Sequence, residues 1–100
     1  MLNITLVCAG GISTSMLVTR MKEAASAKGV EADIRAMAES AFEKYDGKTD
    51  VLLLGPQIGF LEDDFKKTYE PKGIKVSVIN IADYGMMNGE KVLDSVLNMQ

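Results

Sequence analysis

Histidine is missing altogether from this chain of 100 residues. Its absence removes the usual general base near neutral pH and the commonest metal ligand, so Ser-His-Asp and Cys-His catalysis carried wholly by this chain are excluded. Cysteine occurs once. One thiol closes no internal disulfide and builds no four-thiolate zinc or iron–sulfur centre, and it fits a reducing, cytoplasmic setting. Long apolar runs are also missing. None approaches the roughly 20 residues that cross a bilayer, and the first apolar stretch is cut by Cys8-Ala9-Gly10-Gly11 instead of continuing as a signal peptide, so a soluble chain without direct membrane insertion is expected. Positive charge is scarce: 11 Lys and Arg face 14 Asp and Glu for a net charge of -3. With no basic cluster to collect phosphates, a nucleic-acid partner is not expected.

What is present is the composition of a folded domain, 47% hydrophobic and 25% charged. The length suits one compact core, residues 1–100, without room for a second. Leu2 to Val7 is short and aliphatic and reads as a core strand. From Ser13 or Thr14 to Lys28, Leu17, Met21, Ala24 and Ala25 recur at helical spacing, with Gly29 as the C-cap. Val30 to Ala36 alternates between apolar and charged residues, the pattern of a strand with one wet face at a sheet edge. Ala38, Ala41, Phe42 and Tyr45 mark a short helical face ending at Asp46-Gly47. Val51 to Leu54 is continuously apolar and predicts a central strand buried on both faces. A helix is predicted from Ile58 through Leu61, Phe65 and Tyr69, stopped by Pro71-Lys72-Gly73. Ile74 to Ile79 gives a fourth strand, Asn80 to Gly89 a short segment around Tyr84, and Val92, Leu93, Val96 and Leu97 the stripe of a last helix. Strands alternating with helices predict an α/β fold, an open four-stranded parallel sheet with helices on both faces. Sites in such sheets lie beyond the carboxyl ends of the strands, where the strand order reverses.

Cys8 stands at that end of the first strand, followed by Ala9-Gly10-Gly11-Ile12-Ser13-Thr14-Ser15. Adjacent glycines let the backbone approach a ligand, and the first N–H groups of a helix lack internal partners, so this loop is a candidate anion cradle. The Ser13, Thr14 and Ser15 hydroxyls add donors. A helix N-terminus stabilises a thiolate and a phosphate dianion alike, which makes Cys8 a candidate phosphoryl acceptor. A buried core cysteine is the competing reading. No lysine follows the glycines and no Gly-x-Gly-x-x-Gly turn occurs, so nucleotide binding has little support. The loop also resembles that of low-molecular-weight tyrosine phosphatases, cysteine, five residues, then arginine, but Thr14 occupies the arginine position. Asp83, in a late loop, is the best acid available to such a hydrolase. A phosphoryl relay needs less: a nucleophile and a preorganised loop, with partners supplying the rest.

The run from Cys8 to Leu17 resembles the phosphocysteine loop of the IIB component of the bacterial sugar phosphotransferase system, lactose/cellobiose (diacetylchitobiose) type. The run from Val51 to Ile58, and Asp83-Tyr84-Gly85 with Gly89 and the closing helix, resemble the same family, so the likeness spans nearly the whole chain. The resemblance implies a cytoplasmic domain whose cysteine takes a phosphoryl group from a phosphohistidine of the IIA component. It then passes the group to a sugar held by the membrane component IIC, meeting the inner face of the membrane only transiently. By this resemblance Cys8 is the acceptor and Ala9, Gly10, Gly11, Ile12, Ser13, Thr14 and Ser15 bind phosphate. No cofactor and no metal are called for. Gln57, Asp83 and Tyr84 are candidates for the rim or for partner contact, with packing or solvation as the alternative for each. A phosphatase of the low-molecular-weight kind, a non-catalytic binding module of the same fold, and a plain redox thiol are the other readings the residues leave open. The sugar, among cellobiose, lactose, diacetylchitobiose and other β-glycosides, is not legible in the chain.

Overall fold

The computed structural model describes residues 1–8 and 12–99, with only the backbone of Ile12 and Ser13. The apolar runs become four parallel strands, β1 (Leu2–Cys8), β2 (Ala32–Ala38), β3 (Val51–Leu54) and β4 (Lys75–Val78), in the order β2-β1-β3-β4. All of β3 is buried, as a strand between two neighbours under helices on both faces must be. The alternating strand is at the edge, as its wet face predicts.

Helices α1 (Ile12–Lys28), α4 (Ile81–Gly85) and α5 (Gly89–Asn98) cover one face of the sheet. There Leu17, Met21, Leu93 and Val96 pack with Ile4, Leu6, Val51 and Leu53. Helices α2 (Glu39–Glu43) and α3 (Glu62–Tyr69) cover the other, where Phe42 and Phe65 meet Val7, Leu52, Leu54 and Val76. Each fully buried leucine contributes about 1.5–3 kcal/mol by leaving water. The Met86-Met87 pair divides between solvent and core, with Met86 exposed and Met87 packed on the first cluster.

Three of the boundaries that differ from the sequence reading have a structural cause. The second strand begins at Ala32, because Gly29 turns left-handed (φ 68°) and Val30 N–H closes the end of α1 by donating to Ala25 O at 2.9 Å. The strand accordingly runs on to Ala38, which belongs to the sheet and not to the helical face of Phe42 and Tyr45. The helix expected from Ile58 starts only at Glu62. Pro56–Leu61 is a 3-10 segment in which Ile58 departs from helical geometry (φ -118°, ψ 24°), so the apolar period is right but the first turns are tighter.

At the opposite end from Cys8, Asp50 clips the strand starts together. Its Oδ2 accepts from Asn3 N–H at 2.8 Å and from Asn3 Nδ2 at 3.2 Å, and its carbonyl accepts from Lys75 N–H at 3.0 Å. The backbone hydrogen bond from Asn3 lowers the Asp50 pKa, outweighing the opposing effect of partial burial. A carboxyl whose folded pKa lies below its unfolded one adds stability above the unfolded value, and that stability is lost as pH falls through the folded one. Asp50→Asn is therefore expected to lower the urea midpoint at pH 7 and to differ less from the parent at pH 3. A gap that stays constant with pH would show that the charge is not what matters.

The chain leaves β1 toward β2, crosses back to β3 and continues outward to β4. The order reverses between β1 and β3, and their carboxyl ends form the crevice where sites in this architecture are built.

Candidate functional site

Cys8 is the last residue of β1, and its register partner in β2 is Ala38, the last residue of that strand. On the other side Gly55 follows β3 directly and donates its N–H to Val7 O at 2.8 Å. Three strand ends thus converge on the one thiol. Cys8 is 4% exposed, and its Sγ lies 2.6 Å from Oγ1 of Thr14, itself 3% exposed, in the first turn of α1. Thr14 is one of two buried polar or charged residues among those described. Its burial is explained by the sulfur it meets, since a hydroxyl removed from water needs a partner. Where the phosphatase-like loop would place a guanidinium, a neutral hydroxyl touches the nucleophile instead. The thiol therefore sits beside the orphan N–H groups and positive dipole end of a 17-residue helix.

Ala9, Gly10 and Gly11, nominated for phosphate contact, lie outside the described residues, as do the side chains of Ile12 and Ser13. Cys8 borders a cleft of about 390 Å³ lined, among the described residues, by Cys8, Ala38, Glu39, Ser40, Glu43 and Ile58. The sequence reading missed this acidic wall. Its signal was the strand register, because extending the edge strand to Ala38 sets Glu39 next to the end of β1.

Gln57 is exposed, and its Oε1 lies close to Gly55, on the side where Gly55 meets Cys8. A Cβ on Gly55 would stand 2.9 Å from Cys8 Cβ and 2.9 Å from Gln57 Oε1. Gly55 has φ -62°, a conformation open to any residue, so closeness alone demands glycine here. Gly55→Ala is expected to push Cys8 or Gln57 aside and slow alkylation of the thiol by iodoacetamide about tenfold. An unchanged rate would mean that the strand ends yield without disturbing the sulfur.

The other candidates lie elsewhere. Ser15 is exposed and borders a groove between α1 and β2 together with Lys22 and Arg35. Asp83 is half-buried in a separate cleft of about 280 Å³ that includes Ser77, Asn80 and Ser95. Tyr84 takes the packing alternative. It is 8% exposed and belongs to the core cluster of Leu17, Met21 and Leu93, because its ring finds an apolar seat under α1 and α5. No helix among the described residues is long and apolar enough to cross a membrane.

The family described as "PTS system, Lactose/Cellobiose specific IIB subunit" matches residues 3–95. The chain is 39% identical over 99 residues to the oligo-beta-mannoside-specific EIIB component of Bacillus subtilis strain 168, covering 99% of this chain and 96% of that one. It is 41% identical over 101 residues to the galactose-specific EIIB component of Lactococcus lactis subsp. cremoris strain MG1363, covering 96% and 94%. The solution structure of a cellobiose-specific phosphotransferase IIB component from Borrelia burgdorferi superposes with a TM-score of 0.76 at 45% identity, covering 97% of this chain and 89% of that one.

Proposed function

This chain belongs to the lactose/cellobiose-specific IIB family of the phosphotransferase system, and on that premise we propose that Cys8 receives a phosphoryl group from a IIA phosphohistidine and delivers it to a sugar held by IIC. Residues 1–100 then make up one IIB domain, working in the cytoplasm and meeting the membrane through IIC. The observation that carries the reading is the placement of Cys8 Sγ against Thr14 Oγ1 at the N-terminus of α1.

In the first step the thiol gives its proton to water and Sγ attacks phosphorus. The N–P bond breaks with its electron pair left on the imidazole nitrogen, which takes up a proton, and the S–P bond forms. In the second step a sugar hydroxyl attacks the same phosphorus. The S–P bond breaks with its pair returning to Sγ, the O–P bond forms, and the hydroxyl proton passes to water. Both steps spread negative charge over the phosphoryl oxygens, so one set of fixed donors serves in both directions. In this reading Thr14 and the backbone from Ala9 through Ser15 supply those donors, with the hydroxyl of Ser13 in reserve and Gln57 at the edge. The relatives carry different sugar names, oligo-beta-mannoside, galactose and cellobiose, which fits a relay that leaves sugar choice to its membrane partner.

The test is intact-protein mass after incubation with phosphoenolpyruvate, the general phosphotransferase proteins and a IIA. A gain of about 80 Da is expected, the mass of one phosphoryl group. The reading is overturned if no adduct forms from IIA proteins shown to be phosphorylated and drawn from cellobiose, galactose and oligo-beta-mannoside systems.

A further inference from the structure

The cleft at Cys8 has an unusual lining for a place that receives a dianion. Glu39 and Glu43 form part of its wall, and none of the described residues that line it is cationic. Glu39 directly follows Ala38, the register partner of Cys8, and is half-buried, while Glu43 lies one helical turn further along the same side of α2. Neither glutamate is joined to a lysine or arginine by the ion pairs formed among the described residues. Their field reaches further: the hydroxyl of Tyr69 has its pKa raised by burial first, then by Glu43 and Glu39.

We propose that Glu39 and Glu43 form a repulsive wall that keeps the phosphorylated state of Cys8 high in free energy, so that the group is passed on instead of accumulating. The inference rests on the relay reading of Cys8. A phosphoryl group adds roughly -1.5 to -2 charges at neutral pH. Placed on Sγ, that charge is held by the helix N-terminus and Thr14 on one side and opposed by two carboxylates on the other. The attraction lets the group arrive. The repulsion is relieved when the S–P bond breaks, its electron pair returns to Sγ and phosphorus is bonded to the sugar oxygen, because the sugar phosphate then departs with the charge. The pair also discriminates at the mouth of the cleft, disfavouring free phosphate, which brings its own charge and no partner protein to offset it.

The experiment compares alkylation of Cys8 by iodoacetate, an anion, and by neutral iodoacetamide. Cys8 is the only cysteine, so each adduct has one origin. The thiolate fraction cancels in the ratio of the two rates, which leaves the local potential as the quantity read. Glu39→Gln combined with Glu43→Gln is expected to raise the iodoacetate-to-iodoacetamide ratio about fivefold at low salt, and the rise should shrink near 1 M salt, where the screening length is about 3 Å. Glu31→Gln, which removes one charge beyond the other end of the sheet, should leave the ratio within about twofold. In the same double variant the equilibrium constant for taking phosphate from a phosphorylated IIA should rise about tenfold. A ratio that does not move, or a thiol that neither reagent reaches, overturns the wall. A ratio that moves without a change in the phosphorylation equilibrium overturns its role in transfer. The relay reading is judged apart from both, by whether the parent protein forms the phosphoryl adduct at all.

Discussion

Serine in place of Cys8 is expected to cut phosphoryl transfer by about a thousandfold or more. The two side chains differ by one atom, but a hydroxyl stays un-ionised at neutral pH, where a thiol is already partly thiolate, and it attacks only when a base removes its proton. The usual base is absent because the chain has no histidine. Thr14, the group touching the nucleophile, brings a hydroxyl and not a base. Any serine phosphate that did form would be an ordinary ester, reluctant to release its group, so the loss should be larger for transfer to sugar than for acceptance. Adduct formation followed by intact mass measures the first step, and release of labelled sugar phosphate by a reconstituted IIC measures the second. An undiminished adduct in Cys8→Ser would place the acceptor elsewhere.

The largest expected loss of stability from a single methyl group is at Gly89. This residue opens α5 where that helix lies on the middle of α1, and an added Cβ would fall 2.5 Å from Arg20 C, 2.5 Å from Met21 N and 2.6 Å from Arg20 Cβ. Helix propensity alone favours alanine over glycine by about 1 kcal/mol. Steric overlap decides the sign here, because two of the three atoms are backbone and α1 has no side-chain rotation with which to yield. Forcing the helices apart is expected to cost about 2–3 kcal/mol net and to lower the thermal midpoint by about 10 °C or more. Circular dichroism through the transition checks it, and a midpoint equal to or above that of the parent would show that α5 can tilt without cost. The effect reaches the site as well, since α1 is the helix that carries Thr14 against Cys8.

Much of this architecture is written in short-range pattern. Val51 to Leu54 reads as a doubly buried strand because four consecutive apolar residues admit no wet face, and that is where they are found. The strand end at Cys8 and the helix start that carries Thr14 are legible in the same way, although the contact between the two side chains is found only in the structure. The failures come where packing decides. Nothing local reveals that Ala38 continues a strand, since its neighbours change from alternating to helical period within a few residues. Missing that step hid Glu39 and Glu43, which belong to the cleft only because Ala38 pairs with Cys8. Tyr84 stays open between rim and packing in the sequence for a related reason: an aromatic residue near the strand ends suits a rim or a core, and only the positions of α1 and α5 choose between them. At Ile58 a tertiary constraint overrides a correct period, because Pro56 and the tight approach of Gly55 to Cys8 hold the chain in a 3-10 segment before α3 begins.

The docking of α5 on α1 also has a temporal side. The helix that bears the site is made early in synthesis, whereas the surface it rests on, with Leu93 and Val96 in the shared core and Lys28 paired to Asp94 at 3.2 Å, is made only after all four strands. Contacts between such distant stretches of chain close late, after the intervening strands have paired. Until α5 has docked, the thiol is present but the helix that carries Thr14 against it lacks the support of Leu93 and Val96.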